Sequence, residues 1–184
     1  MSATDVTWQW NSTQGSTCSE NRDACGIYQC ETYTFCIVMD ASPRGEYGTR
    51  FNATWIAEVL DRLSPDAPSE AAVVTYLHEA QRRLRTERFV SERASYIAFL
   101  FRHDQTDTSV FHCGDCTLGS QSPEGYIEWL TRTHTLENAY EELGFDVDAS
   151  KRHILTANAN REEIPGTRRH DDHRRSCYPL GPRD

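Results

Sequence analysis

The chain has 184 residues, a formal net charge of −9, and 38% hydrophobic, 26% charged and 10% aromatic residues, which suits one globular domain and excludes wholesale disorder. A sequence pI near 5.2 and a mean hydropathy of −0.68 exclude nucleic acid as the expected partner, because phosphate backbones are held by basic patches. The densest apolar run, Tyr96 to Phe101, is bounded by Ser95 and Arg102, far short of the roughly 20 residues a membrane helix needs, so no membrane is expected either.

The opening Met1-Ser2-Ala3-Thr4-Asp5 carries neither the basic segment nor the apolar core of a secretory signal, and a cytoplasmic location is expected. Val6 to Trp10 reads as a short strand, followed by a Ser/Thr/Gly loop to about Asn21. Ala24–Cys30 and Tyr33–Met39 are predicted strands joined tightly at Glu31-Thr32. The Gly/Pro-bearing loop Ser42-Pro43-Arg44-Gly45-Glu46-Tyr47-Gly48 then leads to a helix over Thr49–Leu63, with Phe51, Trp55, Val59 and Leu63 on one face. Pro65 and Pro68 end it. Ser69 caps a second helix, whose apolar stripe runs through Val73, Val74, Leu77, Ala80, Gln81 and Leu84. Strand character returns at Ser95–Phe101, Val110–Cys113 and Tyr126–Leu130, with Asp104–Asp107 and Ser120–Gly125 as turns. Leu136–Leu143 reads as a short helix, and Ile154–Ala157 as a last short element. Strands, two helices, then more strands predict an α+β fold of two packed sheets with flanking helices and antiparallel hairpins, and disfavour an all-parallel doubly wound sheet. Residues 1–150 form the expected domain. From Lys151 onward the net charge is +3, against −12 before it, so 151–184 reads as a basic, Arg-rich C-terminal segment.

Seven cysteines are an odd number, and without a secretory signal they are expected as free thiols. Cys113-Gly-Asp-Cys116 has the spacing of half a zinc site, but Cys18, Cys25, Cys30 and Cys36 offer no second such pair. His170-Asp-Asp-His173 is read as an exposed polar loop.

Two carboxylates stand at strand ends, Asp23 entering one strand and Asp40 closing the next. Oxygen donors from strand ends are what Mg2+ or Mn2+ take, and a bridged metal pair activates water for phosphoryl hydrolysis; a turn-forming role is the alternative for each. Asp115 follows Gly114 where a hairpin turn would also place Gly-Asp. Arg44 beside Gly45 suits an anionic ligand, and Ser42 and Thr49 suit hydroxyl contacts or helix caps. There is no Ser/His/Asp order, Walker loop or dinucleotide fingerprint.

In combination these segments resemble the type-2C (PPM-type) metal-dependent serine/threonine protein phosphatases, especially bacterial ones. Asn21-Arg22-Asp23-Ala24 stands where that family has Asn-Glu-Asp. Asp40-Ala41-Ser42-Pro43-Arg44-Gly45, with Gly48 before the helix, is similar to its Asp-Gly-Met-Gly-Gly loop. Gly114-Asp115-Cys116 is similar to Gly-Asp-Ser, and Gly125 through Leu130-Thr131-Arg132-Thr133-His134-Thr135 to a hairpin followed by Leu-Thr-x-Asp-His-Ser. Cys177-Tyr178-Pro179-Leu180-Gly181 stands where the family has Thr-Arg-Ala-Leu-Gly. The resemblance implies a four-layer α-β-β-α sandwich of two mostly antiparallel sheets flanked by helices, here incomplete at the C-terminus, with 151–184 the start of the remainder. It also implies two Mn2+ or Mg2+ ions, with Asp23, Asp40, the Ala41 carbonyl and Asp115 as metal ligands.

The departures from the family carry equal weight. Its metal-bridging Glu is Arg22, its phosphate-binding Arg falls on Cys18, and the Gly after the metal-binding Asp is Ala41. Two further aspartate motifs of the family have no counterpart before Asp184. The leading expectation is a phosphatase-like domain with degraded catalysis that binds a phosphorylated protein or a regulatory protein, with a homodimer as a further possibility. The alternative is an active Mn2+- or Mg2+-dependent phosphatase with substitute carboxylates such as Asp171 and Asp172. A truncated remnant with exposed sheet edges is the third reading.

Overall fold

The computed structural model describes residues 7–16, 18–85, 88–146 and 148–159. Strands β1 (Asp23–Gln29) and β2 (Tyr33–Ala41) form a hairpin; helices α1 (Gly48–Leu60) and α2 (Glu70–Leu84) follow, then β3 (Ala94–Arg102) and β4 (Thr108–Cys113). These four strands make one antiparallel sheet in the order β1-β2-β3-β4. A second antiparallel sheet is the hairpin of β5 (Gly119–Gln121) and β6 (Ile127–Trp129), followed by α3 (Leu136–Glu142) and a 3-10 turn at Ala149–Lys151. The α+β class and the two antiparallel sheets agree with the reading of the sequence.

Alternation along β2 and β3 sorts the four-stranded sheet into two faces. Tyr33, Phe35, Ile37, Met39 and Ala41 on β2, with Ala94, Tyr96, Ala98 and Leu100 on β3, enter a core closed by Phe51, Trp55, Ile56 and Val59 of α1 and Val73, Leu77, Ala80 and Leu84 of α2. Helix α1 comes down on β1 at Gly26, where a Cβ would lie 2.3 Å from Ile56 Cγ2. Ser69 caps α2 by accepting the N–H of Ala72 at 3.2 Å. The two helices are further tied where Glu58 meets Arg83 at 2.6 Å, and Arg62, in the turn after α1, meets Glu79 of α2 at 3.2 Å.

Three expectations need correction. Residues 7–10 form no strand; Trp8 and Trp10 remain 60% and 39% exposed, without the ladder partner a strand requires. The Ser120–Gly125 turn is shorter than expected, because Gly119–Gln121 pairs with β6 in the register Gly119↔Trp129. Ile154–Ala157 contributes a single bridge, Thr135↔Leu155, and no regular element.

Candidate functional site

The sheet registers bring the predicted carboxylates to one end of one face. Asp23 stands opposite Asp40, and Asp40 opposite Ser95, so the three lie in one row across β1, β2 and β3, on the face away from the helices. Tyr96 pairs with Cys113 on β4, which brings Gly114 to the end of that row. Gly114 has φ +96°, and a Cβ there would come 2.1 Å from Ser95 Oγ. Glycine is therefore required twice, for the left-handed turn and for the close approach. The turn delivers Asp115 onto Ser95: Ser95 Oγ donates to Asp115 Oδ1 at 2.6 Å and accepts the Asp115 N–H at 3.2 Å.

Asp23 is engaged from the N-terminal loop. Ser12 Oγ donates to Asp23 Oδ2 at 2.5 Å, Asn21 Nδ2 donates to Ser12 Oγ at 2.7 Å, and Asn21 Oδ1 accepts the Asp23 N–H at 3.0 Å. Asp40 sits between the two flanking carboxylates. Desolvation, the charges of Asp23 and Asp115, and a hydrogen bond shared with Asp23 raise its carboxyl above the usual range. Cys116 lies with its thiol against the Asp40 backbone; burial and the charges of Asp115, Asp40 and Asp23 push that thiol up to about 12. It is a protonated thiol at neutral pH, neither a nucleophile nor a thiolate donor.

Arg22, one residue before Asp23, turns to the other side of the strand. Its Nη1 donates to the carbonyls of Ser42 at 2.9 Å and Gly45 at 2.6 Å, and its Nε meets Glu20 at 2.8 Å, with the side chain 14% exposed. Asn52 of α1 donates to the Arg22 carbonyl at 2.7 Å. From the opposite side the fully buried Glu92 accepts the Tyr47 N–H at 2.9 Å and fills the space a Cβ on Gly45 would occupy. The 42–48 loop is thus clamped between a guanidinium and a carboxylate of this chain.

The other predicted residues scatter. Ala41 is buried, and ladder alternation turns its peptide groups toward the start of β1. Cys18 is exposed in a turn closed by its N–H on the Gly15 carbonyl. Arg44 is exposed, and Ser42 Oγ accepts its N–H at 3.4 Å. Thr49 is not the cap of α1; Tyr47 holds that position without a side-chain bond, and Thr49 Oγ1 donates to the Asn21 carbonyl at 3.4 Å. Cys113 is buried in the helix-side core while Cys116 faces the carboxylates, so the pair does not converge, and all six described cysteines are free thiols. His170, Asp171, Asp172, His173 and the Cys177–Gly181 segment lie outside the described residues. His134 joins the site unannounced except by its motif: its Nδ1 accepts the Gly114 N–H at 3.1 Å, and its ring stacks on His112 with centroids 4.6 Å apart. Ser12, Ser95 and Glu92 carried no sequence signal, since a hydroxyl in a loop, a hydroxyl in a strand and a carboxylate before a strand have no distinctive spacing.

A pair of hard cations calls for many oxygen donors and a charge balance supplied by carboxylates. The described residues bring three carboxylates together, two of them bonded to serine hydroxyls, while Arg22, at the sequence position of the resembled family's Glu, sends its guanidinium away to the 42–48 loop. Among the described residues no three His, Cys, Asp or Glu side chains form a group able to hold a metal ion. The described residues do not fit a dinuclear centre.

No protein-family model matches the chain, and no curated protein matches it by sequence. Solved structures do match. The serine/threonine phosphatase Stp1 from Staphylococcus aureus superposes with TM-score 0.69 at 15% identity, over 85% of this chain and 67% of that one. The PPM Ser-Thr phosphatase MsPP from Mycobacterium smegmatis gives 0.64 at 20% identity, over 79% and 63%. The Mycobacterium tuberculosis serine/threonine phosphatase PstP/Ppp gives 0.59 at 19% identity, over 83% and 68%. The chain spans about two thirds of the length of each. With its antiparallel sheet, its helix pair and its row of carboxylates at one sheet end, the chain has the fold of the PPM-type serine/threonine phosphatases.

Proposed function

We propose that this chain is a binding or regulatory module on the PPM phosphatase fold, with degraded catalysis, whose partner is a phosphorylated protein or a regulatory protein. The observation that carries this reading is the Arg22 clamp: the guanidinium holds the 42–48 loop through the Ser42 and Gly45 carbonyls, a task that needs no cation from outside. Arg22 also stands where the resembled family has a Glu, which leaves this end of the sheet one carboxylate fewer for divalent cations.

The test is hydrolysis of a phosphothreonine peptide by the purified chain with and without excess Mn2+, with Asp40→Asn as the control for contaminating phosphatase. No turnover attributable to either protein is expected. Binding of the same peptide and of its unphosphorylated form, followed by fluorescence anisotropy, separates a phosphoprotein partner from an unmodified one.

A second reading rests on the convergence of Asp23 and Asp115 on Asp40, whose carboxyl is raised by burial first and by these two charges next. Three carboxylates with one crowded member would be relieved by a single Mn2+ or Mg2+, and the chain would then be an active metal-dependent serine/threonine phosphatase. Mn2+-dependent turnover that Asp40→Asn abolishes would establish this reading and overturn the first.

A further inference from the structure

The β5–β6 hairpin stands apart from the four-stranded sheet, and a lone two-stranded hairpin is marginal in water. All six of its strand residues are exposed, Ile127 by 55% and Trp129 by 65%. The ladder determines which backbone groups its outer edge offers. Leu130 N–H bonds to the Leu118 carbonyl at 2.7 Å and Ser122 N–H to the Tyr126 carbonyl at 2.8 Å. The hydrogen-bonded pairs are therefore 118 with 130, 120 with 128 and 122 with 126. By alternation, the N–H and C=O groups of Gly119 and Gln121 point away from β6. Among the described residues no backbone group takes them.

Native sheets blunt such edges with lysine, other charges or proline. Cys116 through Ser122 contains none of these, whereas β6 carries Glu128 at its centre. The β5 edge is also self-complementary. Two copies placed antiparallel about Ser120 set Gly119 of one opposite Gln121 of the other, and these outward groups then exchange four N–H···O=C bonds with no charged residue opposed. Pairing through β6 would instead set Glu128 against its own copy. Trp129 leans over the edge, since a Cβ on Gly119 would lie 3.1 Å from its Cε3, and so stands close to the strand that would be added.

We propose that the outer edge of β5 pairs with the same edge of a second copy of this chain, forming a four-stranded antiparallel sheet in the order β6-β5-β5-β6 with a two-fold axis at Ser120. A contact of one short edge buries less than the roughly 1,200 Å2 of a stable interface, which places the dimer in the transient class. The net charge of −9 opposes it at low salt, and salt screens that repulsion.

Sedimentation velocity on the full chain over about 1 to 500 µM, at low and moderate salt, tests the pairing. The expected result is a mass that rises from monomer toward dimer with concentration and at the higher salt. Gln121→Pro removes an outward N–H that the hairpin itself does not use, and Ser120→Lys places two like charges on the axis. Each should move dimerisation to roughly tenfold higher concentration or beyond. Amide exchange over 118–130 reports whether the hairpin survives; if proline disturbs it, Ser120→Lys decides. A chain that stays monomeric throughout, or a dimer that Ser120→Lys leaves unchanged with its hairpin intact, overturns the proposal.

Discussion

Arg22 donates charge-assisted hydrogen bonds to two backbone carbonyls and pairs with Glu20 while its side chain is only 14% exposed. Groups held this way are costly to lose, because the carbonyls they satisfied are left without donors. Arg22→Glu should therefore destabilise the chain by about 2 to 4 kcal/mol, read from urea melts, with Arg22→Lys recovering part of the loss. His134 sets a pH dependence of the opposite kind to Asp40. Burial, ahead of the raising influence of Glu142, lowers its pKa, and its Nδ1 must stay unprotonated to accept the Gly114 N–H. A depressed folded pKa gives stability that is complete above the unfolded value, about 6.5, and lost as the pH falls through the folded one. Stability should thus decline from pH 7.5 toward pH 5, and His134→Gln, whose amide oxygen can still accept, should show a shallower decline in parallel melts.

The helix–sheet contact turns on a few residues of each element. Gly26 is the point where α1 rests on β1, and any Cβ there meets Ile56 Cγ2 at 2.3 Å and Leu60 Cδ1 at 3.1 Å. Gly26→Ala should cost about 1 to 3 kcal/mol through overpacking, measured as a lower denaturant midpoint with an unchanged slope. Trp55 is fully buried and packs on Tyr96 with ring centroids 5.1 Å apart, and its Nε1 has no partner among the described residues. Trp55→Ala should cost about 3 to 5 kcal/mol. Trp55→Phe should cost clearly less, because the smaller ring also removes an unsatisfied donor. Most of this layer was legible in the sequence. Period-2 alternation on β2 and the Phe51, Trp55, Val59 spacing on α1 each have one strong physical source, the division between buried and exposed faces. The β5 strand was not legible because Gly119-Ser120-Gln121 has neither β-branched residues nor an apolar face, and its pairing is imposed by β6. The carboxylate row was half legible. Asp23, Asp40 and Asp115 could be named from motifs, but Ser95 and Ser12 enter through sheet register and loop path, which no local pattern encodes.

At the scale of the whole molecule the first 150 residues carry a charge of −12, and part of it is concentrated in the Asp23–Asp40–Asp115 row. Folding buries Asp40 and brings these carboxylates together, so the folded chain holds a proton on Asp40 more tightly than the unfolded chain does. A raised folded pKa gives stability that is complete below the unfolded carboxylate value, about 3.9, and is gone once the pH has risen through the folded value. At pH 7 the desolvation of the Asp40 carboxylate and its repulsion by Asp23 and Asp115 are therefore fully expressed, and Asp40→Asn should raise the melting temperature there. The advantage should shrink as the pH is lowered toward 4. The same comparison separates the two functional readings through mass action. A cation bound only by the folded chain at a hundred times its Kd would stabilise it by about 2.7 kcal/mol. A chain whose loop is already clamped by Arg22 and Glu92 should show no such rise in millimolar Mn2+. If Mn2+ raised the melting temperature of the native chain and left Asp40→Asn unmoved, the carboxylate row would be a cation site and the binding-module reading would fall. If Mn2+ moved only Arg22→Glu, the guanidinium would be shown to be what keeps divalent cations away from this end of the sheet.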